Sequence, residues 1–112
     1  MKVAILGSGS WATALAKIVM HNAQEINWYI RKQETIDDFI QTRRNPNHLE
    51  WAYFDIARIH FSANINEIVD LSDFIILAIP SPYLNEIFNE INIDLSQKTV
   101  ISAVKGMMPE EH

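Results

Sequence analysis

A short glycine-containing segment near the N-terminus, residues 7–12, constrains the fold of this chain more than any other stretch, and it reads Gly-Ser-Gly-Ser-Trp-Ala. The aliphatic run before it, residues 2–6, is typical of a buried parallel strand. The run after it places small and aliphatic side chains at helical spacing, namely Ala12, Leu15, Ala16 and Val19. The pattern therefore predicts a strand, a tight turn and a helix.

Each small residue of this segment has a separate physical use. Gly7 permits the turn, Gly9 lets the backbone come close to a pyrophosphate, and Ala12 allows helix and strand to pack closely. The N–H groups and the positive dipole end of the new helix then favour an anion. Because the motif also precedes a second strand, we interpret it as a dinucleotide site; the alternative is a plain βα turn of an unrelated α/β domain.

Composition narrows the class of protein. The chain has 112 residues, 48% of them hydrophobic and 21% charged, which is typical of one soluble globular domain spanning 1–112. It contains no run near the roughly 18 apolar residues that a membrane span needs and no signal peptide, so we expect a cytoplasmic protein. The absence of cysteine excludes disulfides and thiolate chemistry, and the four histidines show no metal-ligand spacing, so we expect no metal.

The charge of the chain bears on its ligand. A net charge of −5 argues against nucleic acid as a partner, since a surface that follows phosphates is normally basic. Two cations, Arg31 and Lys32, nevertheless stand at the end of the second predicted strand, residues 26–30. That position faces the adenosine ribose in an open α/β sheet. A guanidinium there can grip a 2′-phosphate, so we predict NADPH as the preferred cofactor with NADH as the alternative, unless the two cations merely open a solvated helix.

The remaining chain alternates between helical and strand patterns. Asn22 is a candidate left-handed residue after the first helix. An irregular segment, residues 49–58, is expected to include one helical turn and to cover the sheet with Trp51, Tyr53 and Phe54. Helices are predicted at 33–43 (buried stripe Ile36, Phe39, Ile40), 64–71 and 83–91 (buried stripe Leu84, Ile87, Phe88, Ile91), and strands at 59–62, 74–79 and 99–104.

This alternation predicts an α/β fold, a doubly wound parallel sheet of Rossmann type with strand order 3-2-1-4-5 and helices on both faces. The carboxyl ends of the strands would bring the glycine turn, Pro80, Ser81 and Lys105 to one edge. The chain ends soon after the last strand, before any covering helix, so we expect it to be a truncated domain.

Five separated motifs resemble those of bacterial-type NAD(P)-dependent glycerol-3-phosphate dehydrogenase, in its N-terminal cofactor-binding domain. They are residues 7–16, 28–32, 42–46, 78–81 and 102–106, and the similarity runs through essentially the whole chain. Two departures are visible. Ala12 replaces a glycine that is more common in the family, and residues 49–58 lack the proline and glycine usual there, which puts the placement of that loop in doubt.

The resemblance implies roles for individual residues. Ser10 and Trp11 would lie against the cofactor, and Arg31 and Lys32 on its adenosine phosphate. Backbone at Pro80 and Ser81 would line the nicotinamide side. Lys105 would touch both cofactor and substrate; without the resemblance it reads as a solvated loop lysine. The family's proton-donor lysine is expected beyond His112, so no catalytic residue is expected within the segment.

The activity implied by the resemblance is reversible hydride transfer between NAD(P)H and dihydroxyacetone phosphate, which gives sn-glycerol 3-phosphate for phospholipid synthesis. Half of such an active site is missing here, so we expect the segment alone to be inactive; a homodimer of the full-length protein is compatible with this reading. Two alternatives stay open: a non-catalytic NAD(P)-sensing regulatory domain, and another dinucleotide-dependent dehydrogenase.

Overall fold

The computed structural model describes residues 1–49 and 51–103, which form a parallel five-stranded sheet with helices on both faces. Its strand order is β3-β2-β1-β4-β5, as predicted. Two 3-10 helices, Ile56–Arg58 and Ser81–Tyr83, accompany these elements. In chain order the strands and α helices are β1 (Val3–Leu6), α1 (Ser10–Val19), β2 (Ile26–Tyr29), α2 (Gln33–Thr42), β3 (Ile59–Ser62), α3 (Ile65–Asp70), β4 (Phe74–Leu77), α4 (Leu84–Glu90) and β5 (Thr99–Ser102).

The register of the sheet lines up the ends of its strands. Leu6, the last residue of β1, is paired with Tyr29 of β2 on one side and with Leu77 of β4 on the other. Leu77 is in turn paired with Ser102 of β5. Because all these pairings are parallel, the segments that follow β1, β2, β4 and β5 leave the sheet at the same edge.

An aromatic cluster forms the core on the α1 and α2 face, with the fully buried Trp28 at its centre. The indole meets Phe39 and Phe54 edge-on, with ring centroids 5.1 and 5.4 Å away, and stacks on Phe61 at 5.7 Å. Its Nε1–H donates to the carbonyl of Gly7 at 2.7 Å. The hydrophobic core is thereby hydrogen-bonded to the glycine turn.

Aliphatic side chains fill the opposite face, between the sheet and helices α3 and α4. Residues of β1, β2 and β4 alternate between the two faces, as a strand requires. Buried members of this second core include Leu6, Ile68, Val69, Ile75 and Ile87. Helices therefore cover both faces, as the doubly wound fold predicts.

Four apolar residues that the sequence analysis placed inside are exposed. Ile40 on α2 and Phe88 on α4 are 47% and 43% exposed, because each helix buries only a narrow stripe. Of the three aromatic residues of the irregular segment, Phe54 is buried, while Trp51 and Tyr53 are 74% and 56% exposed. Phe54 is the ring of this segment that packs against Trp28 and Phe39, with ring centroids 5.4 Å from each.

The predicted left-handed residue at Asn22 is also wrong. Within the described residues, positive φ outside glycine occurs at Arg43, which ends α2, and at Leu49. The end of α1 is capped differently: the guanidinium of Arg58 donates to the carbonyls of Met20 and Ala23 at 2.6 and 2.7 Å. A side chain thus satisfies carbonyls that a left-handed cap would otherwise serve.

Most predicted elements are one or two residues longer than the observed ones. The strand predicted at 74–79 ends at Leu77, and the helix predicted at 83–91 begins as the 3-10 turn Ser81–Tyr83 before α4. The strand predicted at 99–104 ends at Ser102, and Val104 lies outside the described residues. Among the residues described, no helix combines the length and hydropathy needed to cross a membrane.

Trp28→Phe should destabilise the fold by about 2–4 kcal/mol, since it removes both a buried hydrogen bond and part of the core volume. Trp51→Phe is the matched control, because that indole is 74% exposed, and its effect should stay within about 0.5 kcal/mol. Urea unfolding measures both. Equal effects of the two substitutions would show that Trp28 does not hold the core together.

Candidate functional site

The turn between β1 and α1 requires glycine at its first position. Gly7 has φ +125°, and a Cβ built on it would lie 2.4 Å from the carbonyl oxygen of Ala78. Its N–H donates to the carbonyl of Tyr29 at 3.2 Å. Backbone from both neighbouring strands therefore closes around this residue, and no side chain fits.

Gly9 is small for a different reason. It precedes α1 with φ −75° and ψ −172°, an extended conformation open to any residue. A Cβ added to it would meet nothing within 4 Å, so the space beside it is open. No side chain caps α1, and its first turn carries no acidic residue. The start of α1 therefore presents neither a capping side chain nor a carboxylate of its own first turn to an anion, which its N–H groups and dipole favour.

The next two residues, Ser10 and Trp11, tie the start of α1 to other parts of the edge. Ser10 is exposed, and its Oγ lies 3.1 Å from Nδ1 of His48. Trp11 donates from Nε1 to the carbonyl of Ala103 at 3.0 Å, just after β5. The structure thus brings Trp11 to the segment that leads toward Lys105, while Lys105 itself lies outside the described residues.

A cleft of about 350 Å³ lies on the α2 side of the turn. Arg31 and Lys32 line it, together with Ser8, Ile30, Thr35 and Asn47. Both cationic side chains are exposed, and within the described part of the chain neither makes a hydrogen bond or a salt bridge. Two uncommitted positive charges at the end of β2 suit an anionic group better than a neutral one.

A second cleft of about 310 Å³ lies on the α4 side. Gly7, Gly9, Arg31 and Pro80 line it, whereas Ser81 is exposed at the start of a 3-10 helix and is not part of its wall. Its other walls are largely apolar with two carboxylates, and they comprise Ser8, Tyr29, Ala78, Ile79, Tyr83, Glu86, Ile87 and Glu90. The glycine turn separates the two clefts, and Arg31 reaches both.

The phenol of Tyr29 faces this second cleft as a neutral group. Burial raises its pKa first, the nearby Glu90 raises it further, and Arg31 acts in the opposite direction. The hydroxyl therefore stays protonated across the physiological pH range and is available as a hydrogen-bond donor.

Sequence reasoning missed three residues of this edge. Tyr83 is 53% exposed at the second cleft, and an aromatic residue soon after Pro80 is the signal that could have indicated it. Asn45 and Thr13 are fully buried beneath the glycine turn and hydrogen-bonded to it. Asn45 belongs to the motif at residues 42–46, but nothing in the local sequence indicates its burial, since an asparagine before proline normally indicates an exposed break.

A family model and curated relatives all relate this chain to glycerol-3-phosphate dehydrogenase. The family model described as NAD-dependent glycerol-3-phosphate dehydrogenase N-terminus matches residues 2–112. Glycerol-3-phosphate dehydrogenase [NAD(P)+] of an Exiguobacterium species is 30% identical over 111 residues, which cover 98% of this chain and 32% of the relative. The Oceanobacillus iheyensis protein of the same name is 33% identical over 110 residues, or 96% of this chain and 31% of the relative.

Solved structures agree. Glycerol-3-phosphate dehydrogenase of Plasmodium falciparum superposes with a TM-score of 0.77 at 27% identity, covering 91% of this chain and 31% of that one. The Saccharomyces cerevisiae protein gives 0.81 at 22% identity, covering 91% and 33%, and supports the fold alone. The present chain thus spans about a third of the length of the relatives it matches.

Substitution by alanine should destabilise the fold much more at Gly7 than at Gly9. Gly7→Ala should cost at least about 1–3 kcal/mol from backbone strain, before the clash with Ala78 is counted. Gly9→Ala should change stability by less than about 1 kcal/mol, because its backbone is already extended and the space is open. Thermal unfolding of both variants tests this contrast, and a destabilised Gly9→Ala protein would contradict the open geometry.

Proposed function

The chain belongs to the NAD-dependent glycerol-3-phosphate dehydrogenase N-terminal family, and from this premise we propose that it forms the cofactor-binding part of an enzyme that interconverts dihydroxyacetone phosphate and sn-glycerol 3-phosphate. The observation that carries the proposal is the uncapped start of α1, where the space beside Gly9 is open between two clefts. A dinucleotide needs such an arrangement, with the diphosphate at the helix end and a group on either side.

The residues of this chain bind and orient the cofactor in the proposed enzyme. The bound nicotinamide supplies the hydride. Ser10 and Trp11 lie at the start of α1, and Pro80 lines the α4-side cleft. We assign these residues, with Gly7, Gly9 and Ser81, to cofactor contacts. Lys105 is assigned to cofactor and substrate, where a cation would stabilise charge that develops on the carbonyl oxygen; the proton donor is expected beyond His112.

We further propose that NADPH is preferred over NADH. The cations of the α2-side cleft, Arg31 and Lys32, support this choice, since a 2′-phosphate adds charge that they can pair. The α4-side cleft contains Glu86 and Glu90, which would repel a phosphate placed there. The charge distribution therefore favours the 2′-phosphate on the α2 side. A cytoplasmic location and a homodimer of the full-length protein are compatible with this proposal.

The function is tested by mixing the intact protein with NADPH and following NADPH oxidation on addition of dihydroxyacetone phosphate. We expect oxidation that depends on the substrate, whereas residues 1–112 alone should bind NADPH without turnover. Failure of the intact protein to bind either reduced nicotinamide would refute the assignment. Binding without turnover by the intact protein would instead favour a sensing domain.

Arg31→Asp should weaken NADPH binding by about 1.5–3 kcal/mol, or about ten- to a hundredfold, because a charge-assisted hydrogen bond is replaced by repulsion. Calorimetric titration of the intact protein with NADPH and with NADH separately measures the effect. NADH is the internal control, since it lacks the 2′-phosphate and its affinity should change much less.

Arg31→Lys separates the effect of charge from that of geometry, because it keeps the positive charge but loses the bidentate hydrogen bonding of the guanidinium. Its NADPH affinity should fall between those of the unsubstituted protein and Arg31→Asp. Unchanged NADPH affinity in Arg31→Asp would mean that the 2′-phosphate binds elsewhere.

A further inference from the structure

We propose that Asn45 is a positioning residue for the cofactor: together with Thr13 it orients two consecutive peptide groups of the glycine turn so that their N–H groups face the diphosphate. Asn45 touches no open part of the site, since it is fully buried, and it acts through the backbone that it holds. The inference rests on the proposed function and adds a residue from the connection after α2 to the binding machinery.

Both polar atoms of the Asn45 side chain are hydrogen-bonded to the glycine turn or to groups next to it. Its Nδ2 donates to the carbonyl of Ser8 at 2.9 Å and to Oγ1 of Thr13 at 3.0 Å. Its Oδ1 accepts from the backbone N–H of Asn47 at 2.9 Å. Both amide hydrogens point to the turn or to its support, and the oxygen fixes the loop from which Asn45 extends.

Thr13 continues the network by one step. This fully buried hydroxyl receives the hydrogen bond from Asn45 and donates its own hydrogen to the carbonyl of Gly9 at 2.8 Å. The consecutive carbonyls of Ser8 and Gly9 are therefore both bonded by side chains on the inner side of the turn, and that of Gly9 also accepts from the backbone N–H of Thr13 at 3.0 Å.

The geometry of the peptide group links these held carbonyls to the N–H groups that would bind the diphosphate. In a trans peptide the C=O and the following N–H point in opposite directions, and the described residues contain no cis peptide bond. Holding the carbonyl of Ser8 inward therefore points the N–H of Gly9 outward, and holding the carbonyl of Gly9 does the same for the N–H of Ser10. A Cβ added to Gly9 would meet nothing within 4 Å, which is consistent with room for a ligand beside this peptide.

Thr13→Val provides the sharpest test, because it removes the hydroxyl at nearly constant shape and adds no charge. It also leaves the bond between Asn45 and Asn47 in place. The intact variant protein is titrated with NADPH, with ADP-ribose and with adenosine 2′-monophosphate. The first two ligands carry the diphosphate, and the third does not.

We expect Thr13→Val to weaken NADPH and ADP-ribose about tenfold, the scale of one hydrogen bond to a charged group, with adenosine 2′-monophosphate nearly unchanged. Thr13→Ser restores the hydroxyl and should restore affinity. Asn45→Asp, which cannot donate to Ser8 when ionised, should weaken the same two ligands at least as strongly. If Asn45→Asp does not fold, the valine and serine variants at Thr13 decide alone.

Asn27→Asp is the matched control, since the Asn27 amide donates to the hydroxyl of Ser72 at 2.9 Å on another part of the sheet. It should lower the melting temperature without altering the affinity for any of the three ligands. An equal loss for all three ligands in Thr13→Val, or unchanged affinity despite lower stability, would overturn the positioning role. Failure of the unsubstituted protein to bind NADPH and ADP-ribose would overturn the proposed function as well.

Discussion

The close approach of the Gly7 backbone to the carbonyl of Ala78 fixes the glycine turn against the end of β4, and the candidate site is built on this contact. A Cβ at Gly7 would lie 2.4 Å from that oxygen, so the end of β4 and the turn after β1 pack at backbone distance. The indole of Trp28 fixes the other side through its bond to the Gly7 carbonyl. Because Trp28 is also the centre of the aromatic core, the packing of the core and the shape of the turn depend on one another.

Charge then gives the two sides of the turn different character. The α2 side has exposed Arg31 and Lys32, while the α4 side combines apolar walls with Glu86 and Glu90. Arg31 lines both clefts and sits close enough to Tyr29 to oppose the rise in the pKa of its phenol. A bound dinucleotide would therefore meet positive potential on one side of its diphosphate and a mostly apolar surface on the other.

Local sequence patterns were sufficient for the strands, their order and the glycine turn, because aliphatic runs and helical spacing report directly on burial. They failed to predict which of several similar side chains is buried, because that depends on tertiary packing. Phe54, rather than Trp51 or Tyr53, fills the space beside Trp28, and the sequence of that segment has no period that distinguishes them. Nothing in the local sequence indicated that Asn45 is buried either, since its burial depends on Ser8 and Thr13, which are remote in sequence. The binding roles given to all the site residues, Ser81 and Lys105 among them, stay predictions.

Three hydrogen bonds connect the glycine turn and the start of α1 to other parts of the chain. Trp28 binds the carbonyl of Gly7, Asn45 binds that of Ser8, and the indole of Trp11 reaches the carbonyl of Ala103 after β5. These bonds join groups of the protein itself, which would orient the N–H groups of the turn toward a diphosphate. Less ordering free energy then opposes binding, which is the usual advantage of a preorganised site. It also explains why a ligand site can rest on residues as ordinary as glycine and serine: the specificity of the turn resides in the buried side chains that hold its carbonyls.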